Sequence, residues 1–428
     1  MKKSGGFFQL ADHDTTMKRE VTAGIIGFFT IIYIVAVNSF ILSEAGVPFE
    51  GAVVATILAS SVGCVVMAFW ANAPILLVPG MGLNAMFAYT FVQSMALSWQ
   101  EALGVVVVSG VLFVLVSVTK LADWLNASIP PILKEAISVG LGFFLMLIGL
   151  EKGGLVVRGE HSILALGNLG DPAVLITVLT LIVTLIVFLK GVPGGFLWSI
   201  LFGTVAAWVA GLLPEVGDAS FSVAVYNDVF AAFSLSDWLS VPFWSAVFSL
   251  TMVLVFENVG LVHGHTEFAG RPDKFKRALQ ANAFSSFSSG IFGTSPTVST
   301  VESSAMIAAG GRTGLTTLTA GILFLLSVFA IPYMKLIPDM AIAPVLMMIG
   351  SLMIQNIRHL DLTDLTEAVP ALFIIVMIPF TYSIADGIAA GFILYPLLKV
   401  VMGRGREVSK LLWIVSVLFL LNFIVHYA

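Results

Sequence analysis

Two carboxylates sit where a hydrocarbon interior ought to exclude them. Glu257 lies in Val253-Leu254-Val255-Phe256-Glu257-Asn258-Val259-Gly260, and Glu302 in Thr300-Val301-Glu302-Ser303. Burying an ionised carboxylate without compensation costs several kcal/mol, so each must be protonated, paired or turned toward a polar cavity. Buried carboxyls can take up and release protons near neutrality. They also accept hydrogen bonds, or donate once protonated, which suits a flat polar ring edged with N–H and C=O groups. Asn84 both donates and accepts, and Thr297, Ser299 and Thr300 add hydroxyls. Phe87 and Tyr89 offer an aromatic wall, although packing is their plainer role. The plainer reading of the two glutamates is that they cap helices or bond each other.

These residues fall in or beside two segments interrupted in the same way. One runs Pro79-Gly80-Met81-Gly82-Leu83-Asn84-Ala85, the other Gly293-Thr294-Ser295-Pro296-Thr297-Val298-Ser299-Thr300-Val301-Glu302-Ser303. Asn84 and Ser299 are 215 positions apart in 428, so each break occupies the matching place in its half. Paired breaks of this kind mark secondary transporters with inverted repeats, whose broken helices meet at a midplane site. Extended backbone there leaves N–H and C=O groups free, tolerated at membrane depth only inside protein or along a cavity. Helices restarting near Asn84 and Ser303 direct their positive ends toward such a site.

The elements that must position these groups are membrane spans. Hydrophobic residues make up 58% and charged residues 11% of the chain, and mean hydropathy is +1.03. Soluble domains carry roughly 25% charged residues. Apolar runs long enough to cross about 30 Å of hydrocarbon recur at 21–43, 50–70, 74–95, 101–119, 131–150, 173–190 and 193–213. The second half repeats them at 241–263, 278–293, 296–309, 314–334, 340–355, 368–383 and 385–402. The fold class is therefore an all-α polytopic membrane protein of fourteen spans, two inverted repeats of seven, with spans 3 and 10 broken. A further apolar stretch, 410–427, has no counterpart and is left unassigned.

Charge in the loops orients the spans. With the N-terminus cytoplasmic, the inner segments collect Lys2, Lys3, Lys18, Arg19, Lys120, Lys134, Lys190, Arg271, Lys274, Lys276, Arg277, Arg312, Arg358, Lys399, Arg404, Arg406 and Lys410. The outer loops hold Lys152, Arg158 and Lys335, a positive-inside bias of seventeen to three. The outer loop after span 7 carries Glu215, Asp218, Asp228 and Asp237 without a base. Residues 1–20 lack the apolar core of a cleaved signal peptide. Net charge of −5 offers nucleic acid no basic patch, and Cys64 alone excludes an internal disulfide. His263 and His265 form a weak metal pair and read more simply as cytoplasmic loop residues. Asn126-Ala127-Ser128 has the form of a glycosylation sequon but falls in an inner loop, and the Arg271–Arg277 cluster reads as an inner anchor.

Several motifs, in order, resemble one family. Thr15-Thr16 with Arg19-Glu20-Val21-Thr22-Ala23-Gly24, Gly82-Leu83-Asn84-Ala85, Gly293-Thr294-Ser295, Glu302-Ser303-Ser304, Gly310-Gly311-Arg312-Thr313-Gly314-Leu315 and Asp364-Leu365-Thr366-Glu367-Ala368-Val369-Pro370-Ala371 are similar to those of AzgA-like purine permeases. These belong to the nucleobase–cation symporter-2 (nucleobase–ascorbate transporter) group. The resemblance implies a core domain (21–120 and 241–334) and a gate domain (131–213 and 338–402), flanked by a cytoplasmic N-terminus (1–20) and a C-terminal segment (403–428). It implies uptake of adenine, guanine or hypoxanthine with a proton and no other cofactor, by a homodimer in the plasma (inner) membrane working as an elevator. Carried over residue by residue, Asn84, Glu257 and Glu302 are the substrate-binding side chains, with Thr300 beside them and the backbone at Ala85 and Val301 facing the base; Glu257 is the proton-coupled group. The sequence departs where span 8 usually reads Phe-Asp-Thr-x-Gly-Thr-Leu and here reads Phe256-Glu257-Asn258-Val259-Gly260-Leu261-Val262. It departs again where Thr300 replaces a tyrosine often found two places before the span-10 glutamate, and where Leu254 replaces a polar residue.

Two alternatives stand beside this reading. One is a transporter of the same architecture for uracil, xanthine or a small anion, an anion being disfavoured because no ring of bases lies in the spans. The other is an intramembrane enzyme or a channel. An enzyme needs a nucleophile–base pair that the spans lack.

Overall fold

The computed structural model describes residues 6–119, 128–159, 162–213 and 224–427. Lys2, Lys3, Lys120, Glu215, Asp218 and Asn126 of the sequon lie outside them. The spans begin where the sequence places helix-starting chemistry. Thr16, Ser98, Asp171, Ser240, Thr313, Asp364 and Ser383 each cap the helix that follows through a side-chain oxygen, and Ser98 with Glu101 forms a full capping box. Pro131, Pro172 and Pro242 occupy first turns, where a missing N–H costs nothing.

The protein is an all-helical polytopic membrane protein built as two inverted seven-span repeats. Among the described residues nine helical stretches are long and apolar enough to cross a membrane, and Gly195–Val209, Leu365–Thr381 and Lys410–Leu421 are shorter apolar helices. The remaining spans, 3, 9 and 10, are the interior ones. Span 9, Phe275–Phe292, carries Ser285, Ser286, Ser288 and Ser289, all buried. Spans 3 and 10 are broken as expected. Strand β1 (Leu77–Pro79) precedes helix Met81–Ala85, which continues as π-helical turns over Met86–Ser94. A hairpin of β2 (Val156–Val157) and β3 (Ala165–Leu166) joins spans 5 and 6. Strand β4 (Thr297–Ser299) then precedes helix Ser303–Ala308.

Strands β1 and β4 pair antiparallel, Leu77 opposite Ser299 and Pro79 opposite Thr297, and Gly80 N–H extends the ladder to the Pro296 carbonyl at 3.2 Å. This small ladder answers the hydrogen bonds that both breaks leave open. Around it pack helices Met17–Ile31, Tyr33–Glu44, Phe49–Val66, Trp99–Val118, Val241–Phe268, Phe275–Phe292 and Gly314–Leu326. A second group, Pro131–Lys152, Pro172–Leu189, Gly195–Val209, Asp339–Ile354, Leu365–Thr381 and Ile384–Val401, packs mainly within itself. Helix Lys410–Tyr427 lies against Ile384–Val401 and Val241–Phe268.

Two motifs distant in sequence meet inside the first group. Glu20, fully buried, accepts from Arg312 N–H (2.9 Å), Thr313 N–H (3.1 Å) and the hydroxyls of Thr313 (2.7 Å) and Thr316 (2.5 Å). Spans 4 and 9 cross at Gly110, where an added Cβ would collide with the Phe287 backbone. Gly110→Val is expected to cost about 1–3 kcal/mol, read as a lower melting temperature in detergent; an unchanged melt contradicts this packing.

The Asp364 motif caps span 13. Asp364 accepts from Thr366 N–H and hydroxyl (2.9 and 2.7 Å) and from Arg404 (2.6 Å). The Thr366 hydroxyl first, then Arg404, hold its carboxyl well below the ordinary carboxylate range. Because the folded pKa is depressed, this stabilisation is complete above the unfolded value of about 3.9 and disappears as pH falls through the folded one. Asp364→Asn should lower the melting temperature at pH 7, with the gap to wild type shrinking below about pH 4. A pH-independent gap contradicts the assignment.

Candidate functional site

Between the two helix groups lies a cavity of about 370 Å³, within the range of roughly 300–1,000 Å³ typical of small-molecule sites. The first group contributes Tyr33, Gly80, Gly82, Glu257, Ser299, Thr300, Val301 and Glu302, and the second Lys134, Glu135, Ser138, Leu141, Met353 and Asn356. Gly82 matters because a Cβ there would press on Leu141 at 3.1 Å, narrowing the gap between the groups.

Glu257 projects from the middle of helix Val241–Phe268, and no hydrogen bond or ion pair engages it among the described residues. Its neighbour Asn258 is engaged fully. Asn258 Oδ1 accepts from Asn282 Nδ2 (2.7 Å) and Ser299 N–H (3.1 Å), while its Nδ2 donates to the Leu254 carbonyl (2.8 Å). That clamp fixes β4 against the helix bearing Glu257. Glu302 precedes the first turn of Ser303–Ala308, yet its carboxylate leaves the helix end uncapped and accepts from Tyr33 Oη at 2.7 Å. Tyr33 is 2% exposed, with its ring edge-on to Phe196 at 4.9 Å. The Thr300 hydroxyl, at the cavity wall, is buried without a protein partner among the described residues. Val301 is 61% exposed.

The structure thus brings Glu257, Thr300, Val301 and Glu302 to one cavity, and it does not bring Asn84 or Ala85 there. Both are fully buried behind it. Asn84 Oδ1 accepts from Ser295 Oγ at 2.6 Å, and Asn38 Oδ1 lies 3.1 Å from the same hydroxyl; Asn38 Nδ2 donates to Thr56 and Thr294 hydroxyls (2.7 and 2.9 Å). Phe87 and Tyr89 are buried away from the lining, Tyr89 donating to Glu44 at 2.6 Å. His263 and His265 are not loop residues: the span-8 helix runs on to Phe268, and buried His265 pairs its Nδ1 with Ser299 Oγ at 3.0 Å. No cluster of three metal-ligating side chains occurs among the described residues.

Tyr33, Ser138 and Asn356 line the cavity without a local sequence motif that marks them; Asn356 Nδ2 donates to Ser138 Oγ at 3.0 Å. The one available signal was a phenol in the middle of an apolar span. Tyr33→Phe removes a single charge-assisted bond and should raise the half-saturation concentration for cargo about tenfold at unchanged maximal rate. Equal loss of both parameters would point to misfolding instead.

The wall carries Glu135, Glu257 and Glu302 against Lys134, whose ammonium lies 5.9 Å from the Phe256 ring centroid. Such a wall offers carboxyl oxygens to N–H donors. The lining reaches toward the end of the molecule where helix Pro131–Lys152 begins, through Lys134, Glu135 and Asn356, with exposed Gly260 and Val301 on its wall.

Comparisons with known proteins converge. The family described as Permease family (Xan_ur_permease) matches residues 18–390. The chain is 48% identical to the nucleobase transporter PlAzg2 of Paenibacillus larvae, over 89% of this chain and 77% of the relative. It is 36% identical to the guanine/hypoxanthine permease PbuO of Bacillus subtilis (97% and 99%) and 35% identical to the adenine permease AdeP of Escherichia coli (97% and 95%). Among solved structures, the transmembrane domain of a cyanobacterial bicarbonate transporter, BicA, superposes with a TM-score of 0.63 at 13% identity (87% and 97%). SLC26A9 superposes at 0.70 with 11% identity (92% and 66%), likenesses that speak to the fold alone.

Proposed function

The chain belongs to this permease family, and on that premise we propose that it imports purine nucleobases by proton symport. The supporting observation is the pair of carboxylates on one cavity, Glu302 anchored by Tyr33 and Glu257 unpartnered among the described residues. Relatives named for guanine, hypoxanthine and adenine support the substrate class. Glu302 and the Thr300 hydroxyl accept and donate at the ring edge, with the Val301 backbone beside them. Glu257 takes up the proton with the base and releases it inside. Asn84 and Ala85 serve the same site from one layer behind, Asn84 through Ser295.

The helix group around β1 and β4 acts as the core and the other as the gate. The core slides against the gate, elevator fashion, in a homodimer of the plasma (inner) membrane. The cavity lining reaches the end where helix Pro131–Lys152 begins, through Lys134 and Glu135; with that end taken as cytoplasmic from the loop charge, this supports an inward-facing reading of the state. No cofactor is called for beyond the coupling proton. The acidic wall disfavours an anion as cargo.

Uptake of radiolabelled adenine, guanine, hypoxanthine, xanthine and uracil in cells lacking their own permeases tests the cargo. Saturable uptake of adenine, guanine or hypoxanthine supports the reading; uptake of xanthine or uracil alone would overturn it.

A further inference from the structure

At the end of helix Pro131–Lys152 away from the cavity, several residues bridge the two helix groups. Lys134 lines the cavity near the start of Pro131–Lys152 and Lys152 ends that helix, eighteen residues or roughly 27 Å away. There the Lys152 ammonium bonds Glu44, the last residue of Tyr33–Glu44 in the other group. The pair is mostly sheltered, with side chains 11% and 28% exposed. Beside it, Ile384 N–H donates to Thr90 Oγ1 at 3.0 Å, and Phe144 meets the Tyr89 ring edge-on at 5.8 Å. Each of these contacts has one member in the core group and one in the gate group.

We propose that Glu44, Lys152 and Tyr89 form the outer latch of the transport cycle, holding the site shut to the outside in the state seen here. The inference rests on the two-state core–gate reading above, not on the identity of the cargo. Its physical basis is that parting strands neither ion. Glu44 keeps Tyr89 Oη, 2.6 Å from its second oxygen and on its own side. Lys152 keeps Asp339, 3.9 Å away on the gate side, and the face of Phe40 is what it leaves behind at 4.9 Å. A salt bridge whose members each retain a partner can break and re-form at modest cost, whereas a buried pair without such partners resists opening. A purely structural pair would need no second acceptor on the gate side.

The test places a reporter cysteine at Val301, exposed in the cavity, in a Cys64→Ala background, and times its labelling by a membrane-impermeant maleimide from the outer face without purine. Labelling rate follows the population of the outward-facing minority. Lys152→Met and Glu44→Gln should each raise that rate about fivefold, the double variant should rise no further, and Lys152→Arg should stay near the starting rate. Unchanged rates in both single variants, or a double variant showing their product, would overturn the latch. Full labelling from the inner face checks that each variant is folded. Because no purine is present, the latch can stand or fall independently of the cargo assignment.

Discussion

Replacing Glu257 with Gln is expected to abolish accumulation while leaving the protein folded and able to bind. Gln preserves length and hydrogen-bonding capacity but cannot carry a proton. Its position in the Val241–Phe268 helix beside the clamped Asn258 should therefore be undisturbed. One charge moved through 100 mV supplies about 2.3 kcal/mol, which corresponds to roughly 40-fold accumulation of cargo. The variant should fall from such a ratio to simple equilibration, while exchange of labelled for unlabelled purine across the membrane continues. Undiminished gradient-driven accumulation would reject Glu257 as the coupled group.

Removing Glu302 should cost binding instead of coupling. Glu302→Ala deletes an acceptor of the cavity wall and leaves the Tyr33 hydroxyl, in a side chain 2% exposed, without its partner. A charge-assisted hydrogen bond contributes about 1.5–3 kcal/mol, so purine affinity should fall roughly 10- to 150-fold. Stability should drop as well, by about 1–3 kcal/mol for the stranded phenol. Adding Tyr33→Phe should recover that stability without restoring affinity, since removing both partners of a bond is far less costly than removing one. Melting temperature and purine binding by the purified variants separate the two effects. Recovery of affinity in the double variant would show that Tyr33 and Glu302 do not meet the cargo as a pair.

Much of the architecture was legible because membrane physics writes it in composition. Apolar runs mark the spans, and Gly80, Gly82, Gly293 and Pro296 mark the breaks. Glu257 and Glu302 stood out because an acid in an apolar run needs a reason. Direction around a helix was harder to read. Asn84 is as polar as Glu302, yet it turns toward Ser295 and away from the cavity, and nothing in its local sequence says so. Tyr33 looks like any mid-span aromatic until the fold brings residue 302 beside it. Lys134 and Glu135 read as ordinary charges at a span end, and only the approach of the two helix groups makes them a wall. His263 and His265 read as loop residues because hydropathy fades before the helix does; the helix runs to Phe268, and Gly270 just beyond it takes a positive φ of 69°.

The most direct test of the central claim uses purified protein in proteoliposomes, with an imposed proton gradient and labelled adenine, guanine and hypoxanthine. The account predicts that at least one purine accumulates above its external concentration, drives measurable proton influx, and leaks back when a protonophore is added. Uptake that merely equilibrates whatever the gradient, or that follows sodium and ignores protons, would contradict proton symport at Glu257.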